Sequence, residues 1–300
     1  MKIIILGSEG FIGSHLVQHF NRLGYQVFGC DLVEKRSAFF TYFQIEKALL
    51  QWNSIFSEHQ FDFCINAAGN GNVNYSVTHP FEDFESNTID TIEILDSIRK
   101  YNPTCRYLHI SSAAVYGNPA TLPVNESAAC NPVSPYGWHK LMAEQICKEY
   151  SAIYKLPVAI VRPFSIYGPG LKKQLFWDTY SKYKENPAGI ELWGTGKESR
   201  DFIYIDDVVN CFELLLNKAD MKGEVYNLAS GNETLIRDAV DKLFMFFEQK
   251  PVVTFNNSTR EGDPLNWQAD ISAITRLGFT PSVGLDAGIR KLADWLASLS

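Results

Sequence analysis

The chain opens on Lys2 and an unbroken apolar run over residues 3–6 that stops at Gly7. A short, continuous, β-branched run bounded by glycine predicts a strand buried on both faces. The spacing then changes: Phe11, Ile12, Leu16, Val17, Phe20 and Leu23 recur at helical intervals up to Gly24. This predicts a helix with a glycine just past its end. Residues 25–30 (YQVFGC) predict a second strand closing at Asp31, and further strands read at 61–66 (FDFCIN), 106–111 (RYLHIS) and 157–163 (PVAIVRP). Helical patterns around 81–100 and 135–154 separate them. In the latter, Ser134 suits a cap and Pro135 the first helical position, and Trp138, Leu141, Met142, Ile146 and Ile153 form the side expected to be buried. Alternating strands and helices with buried strands predict an α/β fold, a doubly wound parallel sheet with helices on both faces.

After Phe164 the pattern loosens. Glycine and proline cluster at 167–170, 193–196 and 282–284, and helices are predicted near 174–185, 205–217, 233–248 and 286–298. The division expected is 1–165 for a nucleotide-binding domain and 166–300 mainly for a smaller C-terminal α/β lobe. A segment near 200–230 returns to the first part, with residues 224–230 (EVYNLAS) as a strand of the main sheet. No internal repeat is visible.

Composition narrows the function. Three hundred residues, 46% hydrophobic and 20% charged, describe a folded chain with a large core. The net charge of −7 argues against nucleic acid as the main partner, because phosphate-backbone binding needs clustered Lys and Arg. An anionic small molecule needs only a few arginines. Six cysteines without CxxC or Cys/His spacing read as free thiols of a reducing compartment rather than metal ligands. No apolar stretch is long enough for a membrane span, so the expected location is the cytoplasm.

Gly7, Gly10 and Gly13 (GSEGFIG) lie between a predicted strand and helix, the context in which glycines let the backbone approach a pyrophosphate at a helix N-terminus. This is the Rossmann-type arrangement. Asp31 ends the second strand, where a carboxylate accepts both adenosine ribose hydroxyls and repels a 2′-phosphate, favouring NAD over NADP; Lys35 and Arg36 pull the other way. Ala67, Ala68 and Gly69 (NAAG) place small residues at the end of the 61–66 strand. Tyr136 and Lys140 in SPYGWHK sit one helical turn apart. On spacing alone the pair fits either an ordinary helix face or a base with its tuning cation.

The GxxGFIG loop, NAAG, HISSAAVYG (109–117), SPYxxxK, RPFSIYGPG (162–170), RDFIYIDDVV (200–209) and REGDP (260–264), in this order, resemble the extended short-chain dehydrogenase/reductase family. More narrowly, they resemble its nucleotide-sugar epimerase/dehydratase branch, through nearly the whole chain. The resemblance implies Tyr136 as acid/base, Lys140 as the group that binds the nicotinamide ribose and lowers the tyrosine pKa, and Ser112 as a second hydrogen bonder to the reacting hydroxyl. It implies cofactor contacts at Gly7, Gly10, Phe11, Ile12, Gly13, Asp31, Ala67, Ala68, Gly69, Asn87, Ser111 and Pro163. Substrate contacts fall at Ser112, Ser165, Arg200 and Arg260. A homodimer pairing the helices near 81–100 and 135–154 is also implied.

A free tyrosine titrates near ~10, so a base at neutral pH needs its pKa lowered by roughly three units. One ammonium at roughly 4 Å in an effective dielectric of ~20 would supply about 4 kcal/mol, enough for that. Dehydratases of this branch carry an Asp–Glu pair where this chain has Ala113 and Ala114, so elimination would lack its acid and base. The expectation is therefore an NAD-dependent nucleotide-sugar 4-epimerase. A 4-keto-sugar reductase using NAD(P)H would need the same residues. A dinucleotide sensor without catalysis would not need the full set of Ser112, Tyr136 and Lys140. Ser165 stands where many relatives have asparagine, which bears on which sugar is bound.

Overall fold

A computed structural model describes residues 1–34, 41–46, 52–258 and 264–299. Strand β1 (Lys2–Leu6) runs into helix α1 (Phe11–Arg22), followed by β2 (Gln26–Asp31) and the short β3 (Thr41–Gln44). Next come α2 (Trp52–Glu58), β4 (Phe63–Asn66), α3 (Val73–Thr78) and α4 (Pro80–Phe84), and a π turn over Glu85–Ile89 joins α4 to α5 (Asp90–Tyr101). β5 (Arg106–Ile110) leads through a 3-10 turn (Ala113–Tyr116) and a loop into α6 (Pro135–Tyr154), β6 (Val158–Pro163) and β7 (Ser165–Tyr167). The remainder comprises α7 (Gln174–Glu185), β8 (Gly189–Leu192), β9 (Ser199–Tyr204), α8 (Ile205–Lys218), β10 (Lys222–Leu228), β11 (Glu233–Leu235), α9 (Ile236–Phe244), β12 (Val252–Phe255), α10 (Ser272–Arg276) and α11 (Leu285–Ala297).

Seven parallel strands form the central sheet in the order β10-β6-β5-β4-β1-β2-β3. This is the doubly wound α/β fold that the alternating pattern predicts. Strand order reverses between β1 and β4, so a crevice opens at their C-terminal ends. β1 shows why the strands read as continuous apolar runs. Ile3 and Ile5 pack into one core with Leu16, Phe20 and Phe212, whereas Ile4 and Leu6 pack into the opposite core with Phe56, Ile94 and Cys147. A second sheet, β11-β9-β7, and the β12-β8 pair are built from the C-terminal third and the segment after β6. Among the described residues no helix is long and apolar enough to cross a membrane, and the six cysteines are free thiols.

The helix expected around 81–100 is interrupted by the π turn, which turns Asn87 and Thr88 inward. Helix α3 is too short to show a period; Asn72 caps it, its side chain accepting from the Tyr75 N–H at 3.2 Å.

α6 keeps its predicted limits but not its predicted buried face. Trp138, Met142 and Ile153 are exposed, and the inward residues are Gly137, Lys140, Ala143, Glu144, Cys147, Tyr150 and Ser151. Leu141 and Ile146 pack only at the margins of the core. Glu144 and Lys140 can take the interior because each finds a partner there. Arg162 donates to Glu144 through Nε (2.8 Å) and Nη2 (2.6 Å), and the Ser111 hydroxyl donates to Glu144 Oε1 at 2.6 Å. Close approach does the rest: a methyl on Gly137 would stand 2.7 Å from the Ala114 carbonyl oxygen. Because Glu144 and Arg162 are both almost inaccessible to solvent, Arg162→Met leaves a buried carboxylate uncompensated. Urea unfolding should report a loss of about 3–5 kcal/mol.

Candidate active site

The crevice between β1 and β4 is built by small residues in contact. A methyl on Gly7 would stand 2.7 Å from backbone atoms of Ala67 and Ala68, and one on Gly13 only 2.0 Å from the Gly7 carbonyl oxygen. Gly10 takes the N-cap position of α1 without a side-chain cap, so first-turn N–H groups beside Phe11 and Ile12 remain available to an anion. Asp31 closes one end: its carboxylate accepts from the Glu9 N–H at 2.9 Å and the Leu32 N–H at 2.7 Å. At the other end Asn87 lies against Gly69. Its Nδ2 donates to the Asn70 carbonyl at 3.2 Å, and its buried Oδ1 has no hydrogen-bond partner among the described residues. Pro163 ends β6, buried. The structure thus brings the glycines, Asp31, Ala67, Ala68, Gly69 and Asn87 to one crevice. Lys35 and Arg36 lie outside the described residues.

Tyr136 enters from the first turn of α6. Ser134 caps that turn through the Gly137 N–H (3.2 Å), and Ser76 of α3 accepts the Tyr136 N–H at 3.1 Å. The Ser112 hydroxyl faces the phenol and also accepts from the Ala114 N–H at 3.1 Å. The tuning expected from Lys140 is not found. Burial pushes Tyr136 up to about 12; Ser112 lowers it and the Asp83 carboxylate raises it. The Lys140 ammonium instead donates to the Ile110 carbonyl at 3.0 Å. Burial brings Lys140 down to about 8, against upward contributions from Asp83, Cys147 and Glu144. The Ser111 hydroxyl donates to Glu144.

A cavity of about 720 Å³ adjoins this point, and Ser112, Tyr136, Ser165 and Arg200 all line it. Arg200 is steadied by carbonyls of Ser199 (2.7 Å) and Leu265 (3.2 Å), with its guanidinium 5.5 Å from the centre of the Trp267 ring. Arg260 lies outside the described residues. Sequence reasoning misses Ser76, Asp83 and Lys173. Lys173 lines the cavity with its ammonium beside Gly71, and burial lowers its pKa. The Asn72 cap was the available signal for the segment that carries Ser76.

The model of the NAD dependent epimerase/dehydratase family matches residues 3–229. The chain belongs to the NAD-dependent epimerase/dehydratase family. A Methanocaldococcus jannaschii relative named "Putative UDP-glucose 4-epimerase" is 31% identical, covering 98% of both chains. The structure of UDP-glucuronic acid 4-epimerase from Bacillus cereus with UDP-glucuronic acid and NAD superposes with a TM-score of 0.90 at 26% identity, covering 100% of both chains. MoeE5 in complex with UDP-glucose and NAD gives 0.91 at 26%, again covering 100% of both.

The crevice fits the cofactor of the epimerase/dehydratase family. Its glycine contacts leave room for backbone amides but not side chains, and the orphaned Oδ1 of Asn87 offers a buried acceptor.

Proposed function

We propose that the protein is a UDP-sugar 4-epimerase that retains NAD. The observation carrying this reading is the pairing of Ser112 and Tyr136 on the wall of the cavity, next to the glycine crevice, with alanines at 113 and 114. Gly7, Gly10, Gly13, Asp31, Ala67, Ala68 and Asn87 would hold NAD; Pro163, Phe11 and Ile12 edge it. NAD held there would supply a reversible hydride acceptor for the sugar C4. Tyr136 Oη takes the proton of the C4 hydroxyl and gives it back. Ser112 Oγ keeps a hydrogen bond to that oxygen throughout, orienting it for transfer. Lys140, charged below about 8, would hold the ribose hydroxyls. Ala113 and Ala114 offer no carboxylate to remove a C5 proton or expel the C6 hydroxyl, so the ketone is returned rather than dehydrated.

The nucleotide diphosphate extends toward Arg200, with Arg260 as a further contact, and the sugar lies between Tyr136 and Ser165. In this reading residues 1–165, with a returning segment near 200–230, bind the cofactor, and most of 166–300 binds substrate. UDP-glucose and UDP-glucuronic acid, each incubated with the purified protein and no added cofactor, test the proposal. Appearance of the galacto epimer supports it. Consumption of added NADPH by a 4-keto sugar, without interconversion, refutes it.

Trp138, Met142, Ile153 and Tyr154 are exposed on α6, as are Ile89 and Tyr101 at the two ends of α5, which supports a homodimer formed through α5 and α6. Trp138→Glu combined with Met142→Glu should shift the light-scattering mass to that of one chain.

A further inference from the structure

The helical turn that carries Tyr136 and Lys140 is gripped by a carboxylate to which the reaction above gives no role. Asp83 of α4 is fully buried. Its Oδ2 accepts from His139 Nδ1 at 2.6 Å and its Oδ1 from Asn70 Nδ2 at 3.0 Å. His139 immediately precedes Lys140 and lies one turn after Tyr136. Asn70 continues the segment of Ala67, Ala68 and Gly69 at the crevice rim, and its carbonyl accepts from Asn87. One carboxylate therefore ties the acid/base turn to the loop and the asparagine at the cofactor's edge.

The surrounding contacts act on the same turn. Thr88, in the π turn, donates its hydroxyl to the His139 carbonyl at 3.0 Å. The Phe84 ring meets the His139 imidazole edge-on, with centres 5.3 Å apart. A buried carboxylate is costly unless hydrogen-bonded, and a protein free to choose would fill this space with an apolar side chain. Its presence beside the reacting groups calls for a reason.

We propose that Asp83 and His139 are positioning residues for the turn from Tyr136 to Lys140, holding it against the loop that edges the cofactor crevice. The inference rests on the epimerase reading for what the turn does, but not for how it is held. The charges around the turn are few. Tyr136 faces Ser112 and Asp83; Lys140 faces Asp83, Glu144, Cys147 and, from β5, His109. Removing the Asp83 charge relieves Tyr136 of an upward influence and deprives Lys140 of one. Both groups should then titrate at lower pH.

The test compares full-length, NAD-loaded wild type with Asp83→Asn, His139→Ala and His139→Asn. Steady-state kcat and KM across pH form one readout. The other needs no turnover: ultraviolet titration of the Tyr136 phenol, with Tyr136→Phe as the blank. His139→Ala should lower kcat about 10- to 100-fold with KM within about threefold, the signature of a displaced catalytic group rather than lost binding. His139→Asn, which keeps an N–H where Nδ1 stood, should recover most of the loss. Asp83→Asn should move the phenol titration and both limbs of the pH profile downward. An unchanged kcat in His139→Ala overturns the proposal, as does a phenol titration that stays in place in Asp83→Asn. A loss that His139→Asn fails to rescue, with KM rising in step, overturns it equally. Absence of wild-type turnover would sink the epimerase reading instead, while the phenol titration would still decide this one.

Discussion

Tyr136→Phe should lower kcat by about 10³- to 10⁴-fold while NAD and UDP-sugar still bind, because only the proton carrier is lost. The magnitude follows from where the phenol sits. Burial holds it at about 12, so at pH 7 only about 1 in 10⁵ such groups is ionised. The phenol's pKa would have to be lowered once the site is occupied for it to act as a base, and phenylalanine has no proton to move. The ring itself keeps its packing, so calorimetric affinities should stay within about threefold of wild type. A Tyr136→Phe protein with ordinary kcat would remove Tyr136 from the mechanism, and one that loses NAD would make it structural.

The pH dependence belongs to the same site. Lys140 loses its proton near about 8 in the folded protein, lower than its ordinary 10.5. Activity that needs the ammonium should therefore fall as pH rises through about 8, well before a solvated lysine would titrate.

The parts of the fold legible in the sequence are those governed by local rules. β1 and β4 are short apolar runs ending in glycine or small residues, and the glycine loop joins a strand to a helix. Such features carry their structure within about ten residues. α6 was legible at its start, where Ser134 and Pro135 mark the cap and the first position, and the structure ends it at the expected residue with Lys155 in a left-handed conformation. Its orientation was not. An apolar stripe normally marks the buried side, but here Glu144 has Arg162 and Ser111, and Lys140 has the Ile110 carbonyl, all supplied by β5, β6 and the residue just past β5. A rule based on hydrophobicity cannot anticipate partners that exist only once β5 and β6 are paired.

The same limit applies to the surroundings of Lys140. Four residues of helical spacing place Lys140 and Tyr136 on one face, yet the ammonium follows the nearest carbonyl acceptor into the sheet. The electrostatic neighbour of the phenol is instead Asp83, distant in sequence and on a helix that carries no motif. Helix α3 escaped for a related reason: six residues are too few for a period, and Ser76 matters through one hydrogen bond to the Tyr136 N–H.

The crevice makes the sharpest claim about the cofactor. Gly13→Ala should weaken NAD binding at least about 100-fold, equivalent to about 2.7 kcal/mol. The added methyl would stand 2.0 Å from the Gly7 carbonyl oxygen, 2.7 Å from its carbon and 2.9 Å from the Ser8 Cα. All three are backbone atoms, so no side-chain rotation relieves the clash and the loop must move. It cannot retreat toward β4, where a methyl at Gly7 would already stand 2.7 Å from Ala67 and Ala68. Displacement in any other direction pulls the loop's amides from the N-terminus of α1, where the diphosphate would sit. Overpacking of this kind costs about 1–3 kcal/mol of stability, so the variant should fold, melt somewhat lower and bind NAD poorly in calorimetry. Gly284→Ala provides the control, since its methyl would meet nothing within 4 Å and the position caps α11. Equal NAD affinity in Gly13→Ala and Gly284→Ala would mean that the glycine loop is only a tight turn between strand and helix, and the cofactor would have to be placed elsewhere.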